Sequence, residues 1–240
     1  MTHRGTGAPR TPIVHLDVVD STNAEAQRRA AVGERGPLWL AAARQTGGRG
    51  RSGRSWASAG GALAAPFVVT PGAPAARIPE LSLVAGVAAF DAVRTVLAAH
   101  GASPAALRLK WPNDLLLSGA KVGGILIECG NWQSDLVAFI GIGINVAARP
   151  DIGDRAVASL ADAGVAPSAS EVLVALDDAL LRWLGVWQQG VGFADVRRAW
   201  LERAGPAGEA ITINAGAGPV AGAFAGLDTD GALLLDAATG

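Results

Sequence analysis

The sequence predicts an α+β fold in which helices flank a mixed sheet, with a small all-β module after it. Three observations predict it. Stretches of strand and helix character alternate irregularly up to about residue 204, without the regular βαβ rhythm of a doubly wound sheet. No internal repeat of solenoid period is present. After Gly205 only β-like stretches remain.

Taken in order, residues 1–11 read as a disordered leader. "PIVHLDVVD" is a strand entering the helix "STNAEAQRRAA", where Thr22 and Glu25 have capping-box spacing. "PLWLAAA" and "ALAAPFVVT" are further strands, with Pro66 marking an edge or a bulge. Between Pro79 and His100 apolar residues recur at helical spacing, and Gly101 stops the helix. "LRLKW", "KVGGILIEC" and "DLVAFIGIGINV" are strands, and Ser168 with Glu171 caps a helix running to about Gln189. "FADVRRAWLERA" is one more helix. In the tail, "EAITIN", "PVAGAFAGLD" and "ALLLD" are strands, the last two joined by an Asp230-Gly231 hairpin. The chain thus divides into a leader (1–11), a main domain (12–204) and a β module (205–240) with too little core to stand alone.

Composition excludes several function classes. Twenty basic side chains against 21 acidic ones leave a formal charge of −1, so the global electrostatic footprint of a nucleic-acid binder is missing and any anion site must be local. One cysteine, Cys129, excludes a disulfide framework and a Cys-rich zinc site. His3, His15 and His100 are scattered, so no metal site is expected. The N-terminus has no apolar signal core, and no membrane-length apolar run occurs. These features read as a soluble cytoplasmic protein with neither a DNA nor a membrane partner.

Against that neutral background, "RQTGGRGRSGRSW" packs four arginines and four glycines between Arg44 and Trp56. Arginine grips phosphate bidentately and glycine lets backbone approach a ligand, so the stretch suits a mobile anion-binding loop. A solvated Arg/Gly surface loop is the competing reading. Lys110 and Lys121 bracket a Pro-Asn-Asp turn, and Lys121 opens an apolar strand containing Gly123 and Gly124, a pair that weakens a strand unless something must pass close. "DSTN" (20–23) lies at a strand-to-helix junction, where a simple cap also explains it, and Asn145 follows the strand of "GIGINV".

In this order, "DSTN", "RQTGGRGRSGRSW", "KWPNDLLLSGAKVGGILIE" and "GIGINV" resemble the biotin protein ligases, from about Val14 to Val146, with a weaker tail to residue 240. The resemblance implies a class II aminoacyl-tRNA synthetase/biotin synthetase-like catalytic domain followed by an SH3-like barrel. It implies that ATP and Mg²⁺ activate biotin as biotinyl-5′-AMP, and that a lysine of the biotin carboxyl carrier of acetyl-CoA carboxylase then accepts it. By the same resemblance Ser21, Thr22, Asn23, Gln45, Arg49, Gly50, Arg51 and Lys121 meet biotin. Arg51, Arg54, Trp56, Lys110, Asn113 and Asn145 meet the nucleotide. Lys121, Arg49, Arg51 and Asp114 carry the chemistry, Asp114 as the carboxylate beside the acceptor amine or as a structural salt-bridge partner.

The form implied is monofunctional, since the helix-turn-helix of bifunctional members has no room before residue 12. Family members often self-associate through the sheet, so a homodimer is an open expectation. "SAGGALAAPFVV" departs from the family's usual segment, and the end at "LLLDAATG" is shorter than its usual tail. A lipoate or octanoyl ligase or transferase of the same superfamily, or a non-catalytic biotin sensor, is the alternative reading.

Overall fold

The computed structural model describes residues 10–153, 155–215 and 218–236. Ten strands and four α-helices follow in the order β1 (Ile13–Val19), α1 (Thr22–Ala31), β2 (Leu38–Gln45), β3 (Leu63–Val69), α2 (Leu81–Ala99), β4 (Leu107–Lys110), β5 (Asp114–Leu117), β6 (Ala120–Trp132), β7 (Asp135–Ile144), α3 (Ala169–Trp187), α4 (Phe193–Leu201), β8 (Ala210–Ala215), β9 (Gly218–Leu227) and β10 (Leu233–Asp236). Seven strands form one sheet in the order β1-β2-β3-β7-β6-β5-β4. Within it β1 and β2 are parallel and the other neighbours antiparallel, so the sheet is mixed.

Side chains alternate across a strand, so the central strands bury apolar residues on both faces. On one face α2, α3 and α4 cover a core that includes Trp39, Phe67, Val84, Leu97, Ile140, Leu176 and Trp200. On the other, the small side chains of Ala26 and Ala30 let α1 lie close over Leu40, Val68 and Phe139. The segment Ala75–Ala99 is long and apolar enough to cross a membrane, but 72% of that apolar window is buried inside the protein, as in a core helix.

Two buried aspartates tie these helices down. Asp177 on α3 accepts hydrogen bonds from the backbone N–H of Arg10 at 2.7 Å and from Trp39 Nε1 at 2.9 Å. Burial pushes its carboxyl upward, but these donors and Thr11 outweigh that and hold it below the usual range. Asp91 on α2 accepts from Trp183 Nε1 at 2.9 Å, Arg182 at 3.1 Å and Arg203 at 3.0 Å.

The tail strands form a separate antiparallel sheet, β10-β9-β8, that packs on the main body. Phe224 meets Trp200 with ring centroids 6.5 Å apart. Trp111 Nε1 donates to the Gly231 carbonyl at 3.1 Å. The Asp228 carboxylate closes the β9–β10 turn by accepting from the N–H groups of Asp230 and Ala232.

Four expectations change. Most of the leader lies outside the described residues, but its last two, Arg10 and Thr11, are fastened to Asp177. Pro66 sits in an interior strand, not at an edge: the β2–β3 ladder stops at Trp39↔Phe67, one residue short of it, while β3–β7 pairing continues. The cap of α1 is Ser21, which accepts from Ala24 N–H at 3.4 Å, while Glu25 instead pairs with Arg28 and Arg29. Finally, β5 was not anticipated, because its short apolar run, Leu115 to Leu117, shows no two-residue alternation and follows directly on the Pro-Asn-Asp turn.

Candidate active site

A cleft of about 480 Å³, open mouth included, lies where the start of α1, the Gly/Arg loop and strands β6 and β7 meet. Its walls come from segments far apart in sequence. Ser21, Thr22 and Asn23 supply one wall, and Gln45, Arg49, Gly50, Arg51 and Trp56 another. Asn113, Lys121 and Gly124 face them, over a floor that includes Gly141 and Gly143.

The wall at α1 is set by helix entry. With Ser21 serving as the cap, Thr22 is free to donate from both N–H and Oγ1 to Gln45 Oε1, at 2.8 and 3.0 Å. This bond fastens α1 to the end of β2, where the Gly/Arg loop begins. The loop itself is folded back as a small hairpin: Gly50 N–H donates to Arg54 O at 2.7 Å and Trp56 N–H to Gly48 O at 2.8 Å. Its stem is pinned by Gly47 N–H on Asp20 O at 2.7 Å. The Arg28 guanidinium holds the Asp20 carboxyl well below the usual range, with the Ser21 N–H adding to the effect.

Strands β6 and β7 bring glycine to the floor because side chains must lie flat on it. A Cβ at Gly141 would sit 2.4 Å from Asn23 Oδ1, and one at Gly143 2.6 Å from the Trp56 ring. The glycines therefore admit neighbouring side chains as well as leaving room for a ligand.

The charges of the cleft are part-exposed and have few partners each. Lys121 Nζ donates to Asp114 Oδ1 at 2.5 Å and lies 5.7 Å from the Trp56 ring centroid. Arg51 donates to Asn113 Oδ1 at 3.1 Å, and Asn113 is itself held by donating to Ile125 O at 2.7 Å. Arg49 stands 4.0 Å from Glu128. Three cations thus face two carboxylates around one opening, leaving a positive excess for an anion. Among the described residues no group of three His, Cys, Asp or Glu side chains could cage a metal ion.

Of the residues singled out from sequence, Ser21, Thr22, Asn23, Gln45, Arg49, Gly50, Arg51, Trp56, Asn113 and Lys121 line this one cleft. Asp114 reaches it through Lys121. Arg54 and Lys110 are exposed and outside the lining. Asn145 is buried beside it, donating to Ala158 O at 2.9 Å. Among the described residues Trp56 Nε1 and Asn145 Oδ1 are buried polar atoms without a protein partner, a costly state that native structures reserve for special positions. Glu128 and Gly141 were missed as site residues; Glu128 closes the motif "KVGGILIE", but its contact with Asn23 crosses 105 residues of sequence.

Comparison with known proteins points the same way. Residues 16–145 match the model of the Biotin/lipoate A/B protein ligase family, and residues 207–240 that of the Biotin protein ligase C terminal domain. The chain is 40% identical over 224 residues to a biotin–[acetyl-CoA-carboxylase] ligase of Paracoccus denitrificans, covering 90% of each protein. It is 32% identical over 227 residues to the bifunctional ligase/repressor BirA of Escherichia coli, covering 92% of this chain and 68% of that one. Its fold matches the Aquifex aeolicus biotin protein ligase in complex with biotin and ATP, with a TM-score of 0.76, 28% identity, and 93% and 91% of the two chains covered.

Proposed function

The chain belongs to the biotin/lipoate A/B protein ligase family, and from that premise we propose that it is an ATP-dependent biotin ligase acting on the carrier subunit of acetyl-CoA carboxylase. The biotin carboxylate attacks the α-phosphorus of ATP; a C–O–P anhydride forms and pyrophosphate leaves. A carrier lysine amine then attacks the anhydride carbonyl; an amide forms, AMP leaves, and one proton is released.

The observation that carries this reading is the convergence of Thr22, Gln45, Arg49, Arg51 and Lys121 on one cleft. Two anions must meet in the first step, and fixed cations offset their repulsion without reorganising at the moment of reaction. We assign that work to Lys121, Arg49 and Arg51. Ser21, Thr22, Asn23 and Gln45 meet the biotin ring in this assignment, with Gly50 giving it room. Trp56, Asn113 and Asn145 serve the nucleotide, while Arg54 and Lys110 lie further out and guide it by charge. Asp114 sits within reach of an amine at Lys121's position and is the candidate acceptor of the carrier lysine's proton.

Magnesium enters as part of the substrate. In this reading the ion arrives on the ATP phosphates, as it commonly does in nucleotide sites. The catalytic unit spans 12–204 and the β module 205–240, and we place the reaction in the cytoplasm, where ATP and the carrier meet.

Incubation with biotin, MgATP and a biotin carboxyl carrier domain, followed by intact mass of the carrier, tests this. A biotin-sized, ATP-dependent increase is expected. Modification by octanoate or lipoate in place of biotin overturns the substrate assignment, and no modification by any of them overturns the ligase reading.

A further inference from the structure

We propose that Glu128 is a positioning residue: it sets which atom of Asn23 faces the cleft and so tunes the cleft for a cyclic urea. The inference rests on the biotin reading above and deepens it.

Asn23 is 5% exposed and lines the cleft; Glu128 does not line it but stands behind, its Oε2 accepting from Asn23 Nδ2 at 2.9 Å. A carboxylate only accepts, so it selects the Nδ2 edge of the amide and turns Oδ1 away from itself. Oδ1 accepts no hydrogen bond among the described residues. The amide lies flat on β7, where a Cβ at Gly141 would stand 2.4 Å from Oδ1 and 2.8 Å from Nδ2.

Gln45 is oriented in the opposite sense. Its Oε1 is taken by Thr22 N–H and Oγ1, at 2.8 and 3.0 Å, which leaves Nε2 as the donor; among the described residues it gives one long bond, to Ser58 Oγ at 3.4 Å, and has a second N–H to offer. These two amides are thus held in opposite senses, Asn23 with its carbonyl oxygen and Gln45 with its N–H group left for a ligand. A cyclic urea carries both complements, whereas a dithiolane or an alkyl chain carries neither and leaves the protein groups unpaired. The other oxygen of Glu128 faces Arg49 at 4.0 Å, which links the orientation of Asn23 to the Gly/Arg loop.

Glu128→Gln tests this, because an amide can donate as well as accept and releases Asn23 to turn over. Biotin-dependent pyrophosphate release is measured for the wild type, Glu128→Gln, and the double substitution Asn23→Asp/Glu128→Gln, with biotin and with desthiobiotin, which keeps the urea. The expected result for Glu128→Gln is a rise of about tenfold in KM for both compounds, with KM for ATP unchanged and kcat within about threefold. In the double variant the amide at 128 donates to the carboxylate at 23, which offers an oxygen to the cleft whichever way it turns, and KM recovers. Equal rises in the KM values for biotin and ATP, or a double variant no better than the single, would overturn the inference. So would an unaltered Glu128→Gln in a background where the wild type uses biotin. A wild type that does not use biotin overturns the substrate reading instead.

Discussion

Beneath α3, Asp91 is 2% exposed and takes hydrogen bonds from Arg182, Arg203 and Trp183, whereas at the cleft Lys121 and Asp114 are 33% and 26% exposed and hold mainly each other. Both regions set cations against carboxylates. At Asp91 the carboxylate is enclosed and the Arg203 guanidinium, 15% exposed, also lies 5.6 Å from the Trp183 ring, while Arg94 and Arg182 reach the same carboxylate from the exposed side. At the cleft Arg51 has one hydrogen bond, to Asn113, and Arg49 only a 4.0 Å approach to Glu128. A part-exposed pair contributes little to stability, and an incoming anion can compete for its lysine. Burial of the carboxylate, more than charge itself, separates the structural cluster from the candidate catalytic one.

Substitutions on either side should therefore fail in different ways. Asp91→Ala leaves the largely buried Arg203 and the Trp183 N–H without their acceptor, and is expected to cost about 3 kcal/mol of folding stability. Denaturant unfolding measures this, and KM for biotin should stay near the wild-type value. Lys121→Ala is the mirror case: adenylation is expected to slow by about 100-fold with an unchanged thermal midpoint, as followed by biotin-dependent pyrophosphate release. Arg51→Ala removes the clasp between the loop and Asn113. Its expected effect is smaller, an approximately tenfold faster loss of biotinyl-AMP into solution, consistent with a loop that retains and shields the intermediate; trapping the released adenylate reads it.

Acid sharpens the contrast by the smallest margin. Burial pushes the carboxyls of Asp91 and Asp177 upward, but hydrogen bonds to Trp183 and Arg203, and to Thr11 and Trp39, leave both below their usual 3.8. A depressed folded value means stability that is present above the unfolded value and is lost as pH falls through the folded one. The unfolding midpoint is thus expected to hold down to about pH 5 and to drop below about pH 4, with Asp177→Asn showing a shallower drop in a pH series of thermal melts.

Much of the molecule was legible in advance because its signals are local. Ser168 and Glu171 form the capping box that their spacing implies, and the turn at Asp230-Gly231 joins β9 to β10. The cleft was legible as four separate motifs, since each lies at a strand end or a helix start, where the fold places side chains together. Its wiring was not. The spacing of Thr22 and Glu25 implies a helix cap, and only the packing of α1 against β2 shows Thr22 bonded to Gln45. Glu128 and Asn23 meet through sheet register and helix position, neither of which a linear pattern encodes. The two buried aspartates did leave a trace, as charged residues inside the apolar stretches "VAAFDAVRTV" and "VLVALDDALL", but their partners come from other elements.

The measurement that reaches the central claim most directly is biotin-dependent exchange of labelled pyrophosphate into ATP, run side by side on the wild type, Lys121→Ala and Asp91→Ala below their melting temperatures. The account predicts exchange by the wild type only when biotin is present, near-complete loss in Lys121→Ala, and retention in Asp91→Ala. No biotin-dependent exchange by the wild type, or equal loss in the two variants, would contradict it.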